Sequence, residues 1–203
     1  MPDKPLVAIT MGDAAGIGAE VTAKALQDPW VYEKCRPVVV GSVAAMDAAL
    51  RLIEASGGTR LAHDVNEVKG EHGTIDVLDL ENLDFNSLEY GKVSPVSGKA
   101  SVDWILRAGE LAASGQVQAI ATAPINKEAC ALAGHEDIGH MEIFQSQTGS
   151  TNVATMLMAR QLRTVHLTTH KSLRVACDFV TKDNVLAKIA LTDETFKKWG
   201  FET

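Results

Sequence analysis

Short apolar runs alternate with segments of helical periodicity along most of the chain. The runs are rich in β-branched and aliphatic residues, which is typical of buried strands. They lie at residues 6–10, 37–40, 74–80, 117–121, 153–158 and 164–168. Helical spacing of apolar residues covers residues 17–27, 43–55, 100–113 and 184–199. This alternation predicts a mostly parallel sheet between two layers of helices, which is a three-layer α/β/α fold.

Two stretches break the alternation. Residues 81–99 are polar and rich in turn formers, which predicts a loop or arm that serves an active site or a subunit contact. Residues 197–203 read as the end of a helix, a glycine stop and the approach to another strand. We therefore expect the chain to stop within a domain.

Composition narrows the classes of function. The 203 residues are 46% hydrophobic, which is enough for an aliphatic core, and a net charge of −7 disfavours nucleic acid and anionic membranes as partners. No apolar stretch approaches the roughly 20 residues that cross a bilayer. The three cysteines are odd in number and widely separated, so neither a disulfide framework nor a cysteine zinc site is predicted. We expect a cytoplasmic protein.

Three polar clusters each follow an apolar run that is predicted to be a strand. They are residues 11–18, 122–127 and 168–171. In open parallel sheets, ligands bind beyond the carboxyl ends of the strands, so clusters at strand ends are expected to share one cleft. The pattern predicts an enzyme with its active site at this edge of the sheet.

The first cluster holds Gly12, Gly16 and Gly18 between a strand and a helix. Small residues there let backbone N–H groups face an anion, although the spacing fits neither the dinucleotide fingerprint nor a P-loop. A structural turn is at least as good an interpretation of the glycines. Asp13 either caps the following helix or holds a substrate hydroxyl or a catalytic group.

The second cluster ends in Asn126 and Lys127. One interpretation is a helix start, with asparagine near the cap and a solvated lysine. The other is functional: the lysine would supply a point charge for a carboxylate, a phosphate or a developing alkoxide, and the amide would offer both a donor and an acceptor. The position after a strand favours the functional interpretation.

Two histidines stand out among the six. His140 follows Gly139, where a ligand can approach closely, and it is a candidate hydrogen-bond donor to substrate or an acid/base group. His166 lies within a predicted strand and is interpreted as a packing residue, whereas His170 emerges at the strand end and is a candidate ligand. One histidine does not make a metal site, because a catalytic divalent ion usually needs about three protein ligands.

In this order and spacing, the motifs resemble the 4-hydroxythreonine-4-phosphate dehydrogenase family, known as PdxA. The resemblance rests on their combination over essentially the whole chain, and the segments that carry it are residues 9–18, 122–127, 139–142 and 162–170. It implies a fold like that of isocitrate and isopropylmalate dehydrogenases, with residues 1–203 forming the N-terminal part of the catalytic unit.

The resemblance also implies a reaction. It is the oxidation by NAD or NADP of the secondary alcohol of 4-phosphooxy-L-threonine, followed by decarboxylation, in pyridoxine and pyridoxal phosphate biosynthesis. A divalent metal (zinc, magnesium or cobalt) would assist, with His170 as one of three metal-binding histidines. His140 and Met141 would bind the small phosphorylated hydroxy acid. The family's sites are shared between two protomers, which implies a homodimer.

Departures from the family pattern leave alternatives open. Met141 stands where the family usually has threonine, which makes a D-threonate or D-erythronate 4-phosphate dehydrogenase the runner-up. Ala14 and Ala19 replace common prolines, with more effect on loop stiffness than on chemistry. The family's other metal histidines and phosphate contacts lie beyond the equivalent of Thr203, so a non-catalytic truncated homologue is a further alternative. A transferase on a related scaffold is the third, because fold does not fix function.

Overall fold

The computed structural model describes residues 4–135 and 139–201. Its strands are β1 (Leu6–Thr10), β2 (Arg36–Gly41), β3 (Gly58–Ala62), β4 (Thr74–Asp79), β5 (Ala119–Thr122), β6 (Met156–Ala159) and β7 (Leu162–Val165). Its α-helices are α1 (Gly18–Ala25), α2 (Pro29–Lys34), α3 (Val43–Leu52), α4 (Pro95–Ala113), α5 (Lys127–Leu132), α6 (His140–Thr148), α7 (Leu173–Phe179) and α8 (Lys182–Lys198). The chain divides into two compact units, the first ending at Gly149 and the second beginning at Ser150.

The first unit is built on a five-stranded parallel sheet in the order β3-β4-β2-β1-β5. The connections from β1 to β2 and from β4 to β5 run in opposite directions along the sheet. Right-handed crossovers therefore place α1, which packs on α3, on one face and α4 on the other. The predicted three-layer α/β fold, like that of isocitrate dehydrogenase, is confirmed.

The order of the strands creates a crevice between β1 and β5. Their last residues, Thr10 and Thr122, are paired in register, so the loops after both strands start side by side. The chain after β1 enters α1 on one face, while the chain after β5 enters α5, which packs against α4 on the other face. This divergence is the topological switch point at which α/β sheets bind ligands.

The main core of the first unit is aliphatic, as its low aromatic content predicts. Val38, Val39 and Val40 of β2 are all fully buried, because a central parallel strand is covered on both faces. The indole of Trp104 in α4 is also fully buried, and its ring N–H donates to the side-chain oxygen of Asn82 at 3.1 Å. This core packs against the sheet whose carboxyl edge carries the loops after β1 and β5.

The second unit is a separate, antiparallel element followed by two helices. The strands β6 and β7 pair with each other as a hairpin and not with the parallel sheet. The runs predicted at residues 153–158 and 164–168 are therefore strands with shifted bounds, but their expected place in a parallel sheet is wrong. Alternating side chains mark a strand without revealing its pairing partner. Between Ser150 and Phe201, none of the residues is buried.

The predicted loop at residues 81–99 is correct only as far as Ser94. There the side-chain oxygen of Ser94 caps α4 by accepting from the Ser97 N–H, and Pro95 occupies the first turn. Serine followed by proline is a common helix start, and here it outweighs the turn-forming composition of the stretch. The pattern also missed β3, α2, α6 and α7, which are all short.

Two further findings concern the cysteines and the apolar character of the helices. The cysteines Cys35, Cys130 and Cys177 are all unpaired. Among the described parts of the chain, none of the helices is both long enough and apolar enough to span a bilayer.

The crossing of α4 and α5 depends on a glycine. A Cβ added at Gly98 would lie 2.1 Å from the carbonyl oxygen of Ala129. We predict that Gly98→Ala destabilises the protein by about 1–3 kcal/mol, because overpacking outweighs the gain in helix propensity. Denaturant unfolding measures this, with Gly58→Ala as a control because the space beside Gly58 is open. Equal stabilities of the two variants would contradict the packing argument.

Candidate active site at the sheet edge

The loops after β1 and β5 are in direct contact. The backbone N–H of Asp13 donates to the carbonyl oxygen of Pro124 at 2.9 Å. Gly12 has a φ of 75°, and a Cβ there would lie 2.3 Å from the same carbonyl oxygen. Both the left-handed backbone and the close approach require glycine. The first two polar clusters therefore share one edge, as the sequence predicts.

The carboxyl group of Asp13 is buried inside this contact, with 8% of the residue exposed. One carboxylate oxygen accepts from the Ala15 N–H at 3.0 Å and from the hydroxyl of Ser97 in α4. The hydroxyl of Ser101, one turn later, lies 2.9 Å from the carbonyl oxygen of Gly12. Asp13 therefore fixes the glycine loop onto α4.

The structure decides against one of the two interpretations of Asp13, that of a helix cap. The N-cap of α1 is Ile17, and no side chain caps it, so Asp13 is not the helix cap.

The serines Ser97 and Ser101 were missed by sequence reasoning. Their four-residue spacing in the amphipathic helix is a signal that could have found them, because it places two hydroxyls on one buried face.

The two polar residues at the end of the second cluster differ in their surroundings, because Asn126 makes a structural hydrogen bond and Lys127 is exposed. The side chain of Asn126 caps α5 by accepting from the Ala129 N–H at 3.1 Å, which confirms the helix-start interpretation. Lys127 is exposed, and a Cβ built at Gly139 would lie 3.9 Å from its Nζ. The ammonium group of Lys127 therefore lies beside the residue that precedes His140.

His140 is the first residue of α6. The Gly139 N–H donates to Oε2 of Glu142 at 3.0 Å, which holds the start of the helix in place. The Nε2 atom of His140 is buried and lacks a hydrogen-bond partner within the described residues. Burial lowers the pKa of His140, and the nearby carboxylate of Glu142 offsets this effect in part. The neutral imidazole is therefore favoured at pH 7. The next residue, Met141, is half-buried.

The third cluster belongs to the second unit. His170 is exposed, with a φ of 55°, and it follows β7 of the antiparallel hairpin by several residues. The expectation that all three clusters end strands of one sheet is therefore wrong for this cluster.

Over residues 4–135 and 139–201, no group of three or more His, Cys, Asp or Glu side chains could hold a metal ion.

The first unit thus carries two different polar groups in neighbouring segments, because the ammonium group of Lys127 lies beside Gly139, the residue before His140. Lys127 supplies a positive charge that suits a carboxylate or a phosphate. His140 supplies a buried ring nitrogen that lacks a partner, and such an atom gains a full hydrogen bond when a polar ligand arrives. Groups of these two kinds suit a small anion that also carries a hydroxyl or carbonyl group.

Comparison with known proteins places this arrangement in context. A family described as "Pyridoxal phosphate biosynthetic protein PdxA" matches residues 33–203. A protein of Clostridium botulinum that is provisionally named D-threonate 4-phosphate dehydrogenase is 39% identical over 198 residues, covering 98% of this chain and 59% of the relative. The 4-hydroxythreonine-4-phosphate dehydrogenase of Desulforapulum autotrophicum is 40% identical over 199 residues, covering 98% of this chain and 58% of that protein.

A solved structure agrees with these relatives. The crystal structure of a 4-hydroxythreonine-4-phosphate dehydrogenase from Burkholderia phymatum matches with a TM-score of 0.90 at 40% identity, covering 98% of this chain and 60% of that chain. The resemblance inferred from the motifs is confirmed. The chain spans about three-fifths of the length of the relatives that it matches.

Removing the hydroxyl that binds Asp13 tests the role of that network. We predict that Ser97→Ala lowers the free energy of unfolding by about 1.5–3 kcal/mol, because it leaves a buried carboxylate oxygen with one donor fewer. Urea unfolding would measure the change. Ser87→Ala is the control, since Ser87 is exposed. A loss no larger than that of the control would show that the loop does not depend on this bond.

The lowered pKa of His140 predicts a dependence of stability on pH. The usual pKa of histidine is about 6.5, and the folded protein holds the pKa of His140 below that value. As the pH falls below about 6.5, the unfolded chain therefore takes up a proton before the folded protein does. The neutral ring contributes to the stability of the fold above that pH, and this contribution is lost as the pH falls. Between about pH 7.5 and pH 5.5, the wild type should lose more stability than His140→Asn. His63→Asn is the control, because His63 is exposed. Equal losses of stability in the wild type, His140→Asn and His63→Asn would contradict the prediction.

Proposed function

Since the chain belongs to the PdxA family, we propose that the protein is a dehydrogenase that uses NAD or NADP to oxidise the secondary alcohol of a 4-phosphorylated hydroxy acid. The hydroxyl carbon would give up a hydride to the nicotinamide ring and the hydroxyl would give up its proton. The resulting 3-keto acid would then lose carbon dioxide. The proposal concerns the whole protein, since the chain spans about three-fifths of its relatives.

The observation that carries the proposal is the buried, unpartnered Nε2 of His140, in a residue whose neighbour Gly139 lies beside the ammonium group of Lys127. A phosphorylated hydroxy acid offers oxygen atoms to both groups. The neutral ring of His140 would hold or accept a proton at Nε2 through a hydrogen bond to a polar group of the substrate. The exposed ammonium group of Lys127 would orient one of the substrate's anionic ends.

4-Phosphooxy-L-threonine is the leading substrate. Met141 favours the alternative, D-threonate or D-erythronate 4-phosphate, because a thioether does not offer the donor that a threonine hydroxyl would. The relative provisionally named D-threonate 4-phosphate dehydrogenase supports the same alternative. We keep both substrates in the proposal, together with the pyridoxine pathway for the first.

A divalent metal (zinc, magnesium or cobalt) belongs to the proposed reaction. His170 is exposed, and within the described segments its ring makes no hydrogen bond. The ring could therefore act as one ligand. The other ligands would come from outside residues 4–135 and 139–201. When bound, such an ion polarises a coordinated hydroxyl group and lowers its pKa.

We also propose a homodimer in the cytoplasm. The second unit exposes large apolar side chains on its hairpin and helices, including Leu162, Leu173 and Ile189. Exposed apolar clusters of this kind mark surfaces that other chain segments or subunits cover. The unpaired cysteines fit a reducing compartment.

The purified natural protein should form NADH or NADPH from 4-phosphooxy-L-threonine or from D-threonate or D-erythronate 4-phosphate when zinc, magnesium or cobalt is added. We predict that His170→Ala reduces the metal-dependent rate at least about a hundredfold, because it removes a metal ligand. The cofactor's absorbance measures the rate. His63→Ala, which changes an exposed histidine elsewhere, should keep it.

Two results would overturn parts of this proposal. An unchanged rate in His170→Ala would remove that residue from the metal site. A wild-type protein that turns over none of the three substrates with any of the metals would exclude the proposed reaction and favour the non-catalytic homologue.

A further inference from the structure

Glu142 ends the motif that begins at Gly139, and the roles proposed above do not include it. The residue is exposed, and it lies in the first turn of α6, two residues after His140. An exposed glutamate in the first turn of a helix is ordinary, because a negative charge is favourable there. The contacts of this particular carboxylate are more specific.

The start of α6 has an incomplete cap. In a capping box, a serine or threonine at the N-cap and a glutamate three residues later each accept a hydrogen bond from the backbone N–H of the other. The N-cap of α6 is Gly139, which has no side chain, so only the bond from its N–H to Oε2 of Glu142 exists, at 3.0 Å. The carboxylate of Glu142 therefore anchors the N-cap residue from one side alone.

The rest of α6 is anchored independently of Glu142. Ile143 is buried among side chains of α4 and α5. The side-chain amide of Gln147 donates to the carbonyl oxygen of Leu106 at 2.7 Å, and a Cβ added at Gly109 would overlap Oε1 of the same glutamine. Loss of the Glu142 carboxylate would therefore release the start of the helix and leave its body in place.

The ring of His140 depends on this start of the helix. The residue follows Gly139 directly, and among the described residues its buried Nε2 has no hydrogen-bond partner. Without a bond at Nε2, the ring takes its position from its packing and from the backbone that carries it. Since reactivity is sensitive to displacements of about 1 Å, a loose N-cap residue would move this ring out of its working position.

Glu142 also faces the charge of Lys127. A Cβ built at Gly139 would lie 2.7 Å from Oε2 of Glu142 and 3.9 Å from Nζ of Lys127, so both charged groups lie on the same side of the glycine. Opposite charges that lie this close to one point attract each other, which favours a position of the ammonium group beside the N-cap residue. The segments that carry Lys127 and His140 therefore meet at Glu142.

We propose that Glu142 is a positioning residue of the active site, an inference that rests on the dehydrogenase function proposed above. Its carboxylate holds the N–H of Gly139 and thereby sets where the ring of His140 meets the substrate. Glu142 acts through these neighbours and does not touch the substrate itself. Its hydrogen bond matters more to this role than its charge, because the bond fixes the backbone that carries the ring.

Two variants of the purified natural protein separate the bond from the charge. Glu142→Ala removes both, whereas Glu142→Gln removes the charge and keeps an oxygen that can accept from the Gly139 N–H. Amide hydrogen exchange at Gly139, measured by NMR, should be about tenfold faster in Glu142→Ala and within about threefold of the wild type in Glu142→Gln. For the phosphorylated hydroxy acid that the wild type oxidises, kcat/KM should fall about tenfold in Glu142→Ala and stay within about threefold in Glu142→Gln.

A third variant displaces the carboxylate without changing it. Gly139 has a φ of −115°, which any residue adopts, but the Cβ of an alanine there would lie 2.7 Å from Oε2 of Glu142. Since this oxygen ends a flexible side chain, it would move aside, so Gly139→Ala should lower kcat/KM as Glu142→Ala does.

The matched control is Asp28→Ala. Asp28 is an exposed carboxylate that caps α2 by accepting from the Trp30 N–H at 2.9 Å. Its loss removes one acidic side chain and one helix cap, as Glu142→Ala does, but away from His140. This variant should lose a similar amount of stability, about 1 kcal/mol, and keep the wild-type kcat/KM.

The outcomes separate this inference from the proposed function. Faster exchange and a lower kcat/KM in Glu142→Ala, with both values restored in Glu142→Gln, would establish the role. An unchanged exchange rate or an unchanged kcat/KM in Glu142→Ala would overturn the inference and leave the dehydrogenase intact, and so would a loss of kcat/KM in Glu142→Gln as large as in Glu142→Ala. A wild-type protein that oxidises none of the three substrates would overturn the proposed function and, with it, this role.

Discussion

The buried carboxyl group of Asp13 joins two parts of the chain on which the rest of the site depends. It accepts a hydrogen bond from Ser97, which lies 84 residues later, and it thereby fixes the glycine loop on the first turn of α4. The backbone of the same residue donates to Pro124 and so sets the distance between the loops after β1 and β5. A site whose loops are held by internal bonds is ordered before any ligand arrives. Asp13 therefore shapes the crevice from within.

The sequence predicted most of the parallel sheet, because buried parallel strands are continuous apolar runs between helices. The bounds of β1 were predicted without error, and those of β2 and β4 to within one residue. The strand β3 was missed because Gly58–Ala62 contains an arginine, Arg60, whose charge is paired with a buried carboxylate in β4. That partner lies on another strand, so a local pattern cannot identify it.

The candidate site was predictable in its location and less so in the roles of its residues. The position of Asn126 after a strand was correct, yet the residue caps a helix, because a short amide satisfies backbone donors as readily as it binds ligands. For His170 the pattern identified a strand before it but not that strand's pairing partner. Ser97 was missed because its significance comes from a contact across 84 residues. Roles that depend on long-range contacts need the folded chain.

The helix that begins with His140 and Met141 packs on a small cluster of its own. Its buried members are Val102, Ile105, Cys130 and Ile143, and they are separate from the main core around β2. A substitution at the start of α6 therefore disturbs few of the contacts that hold the sheet together. Residues at the start of α6 can therefore vary while the scaffold keeps its stability, so this part of the surface can change its chemistry through single mutational steps.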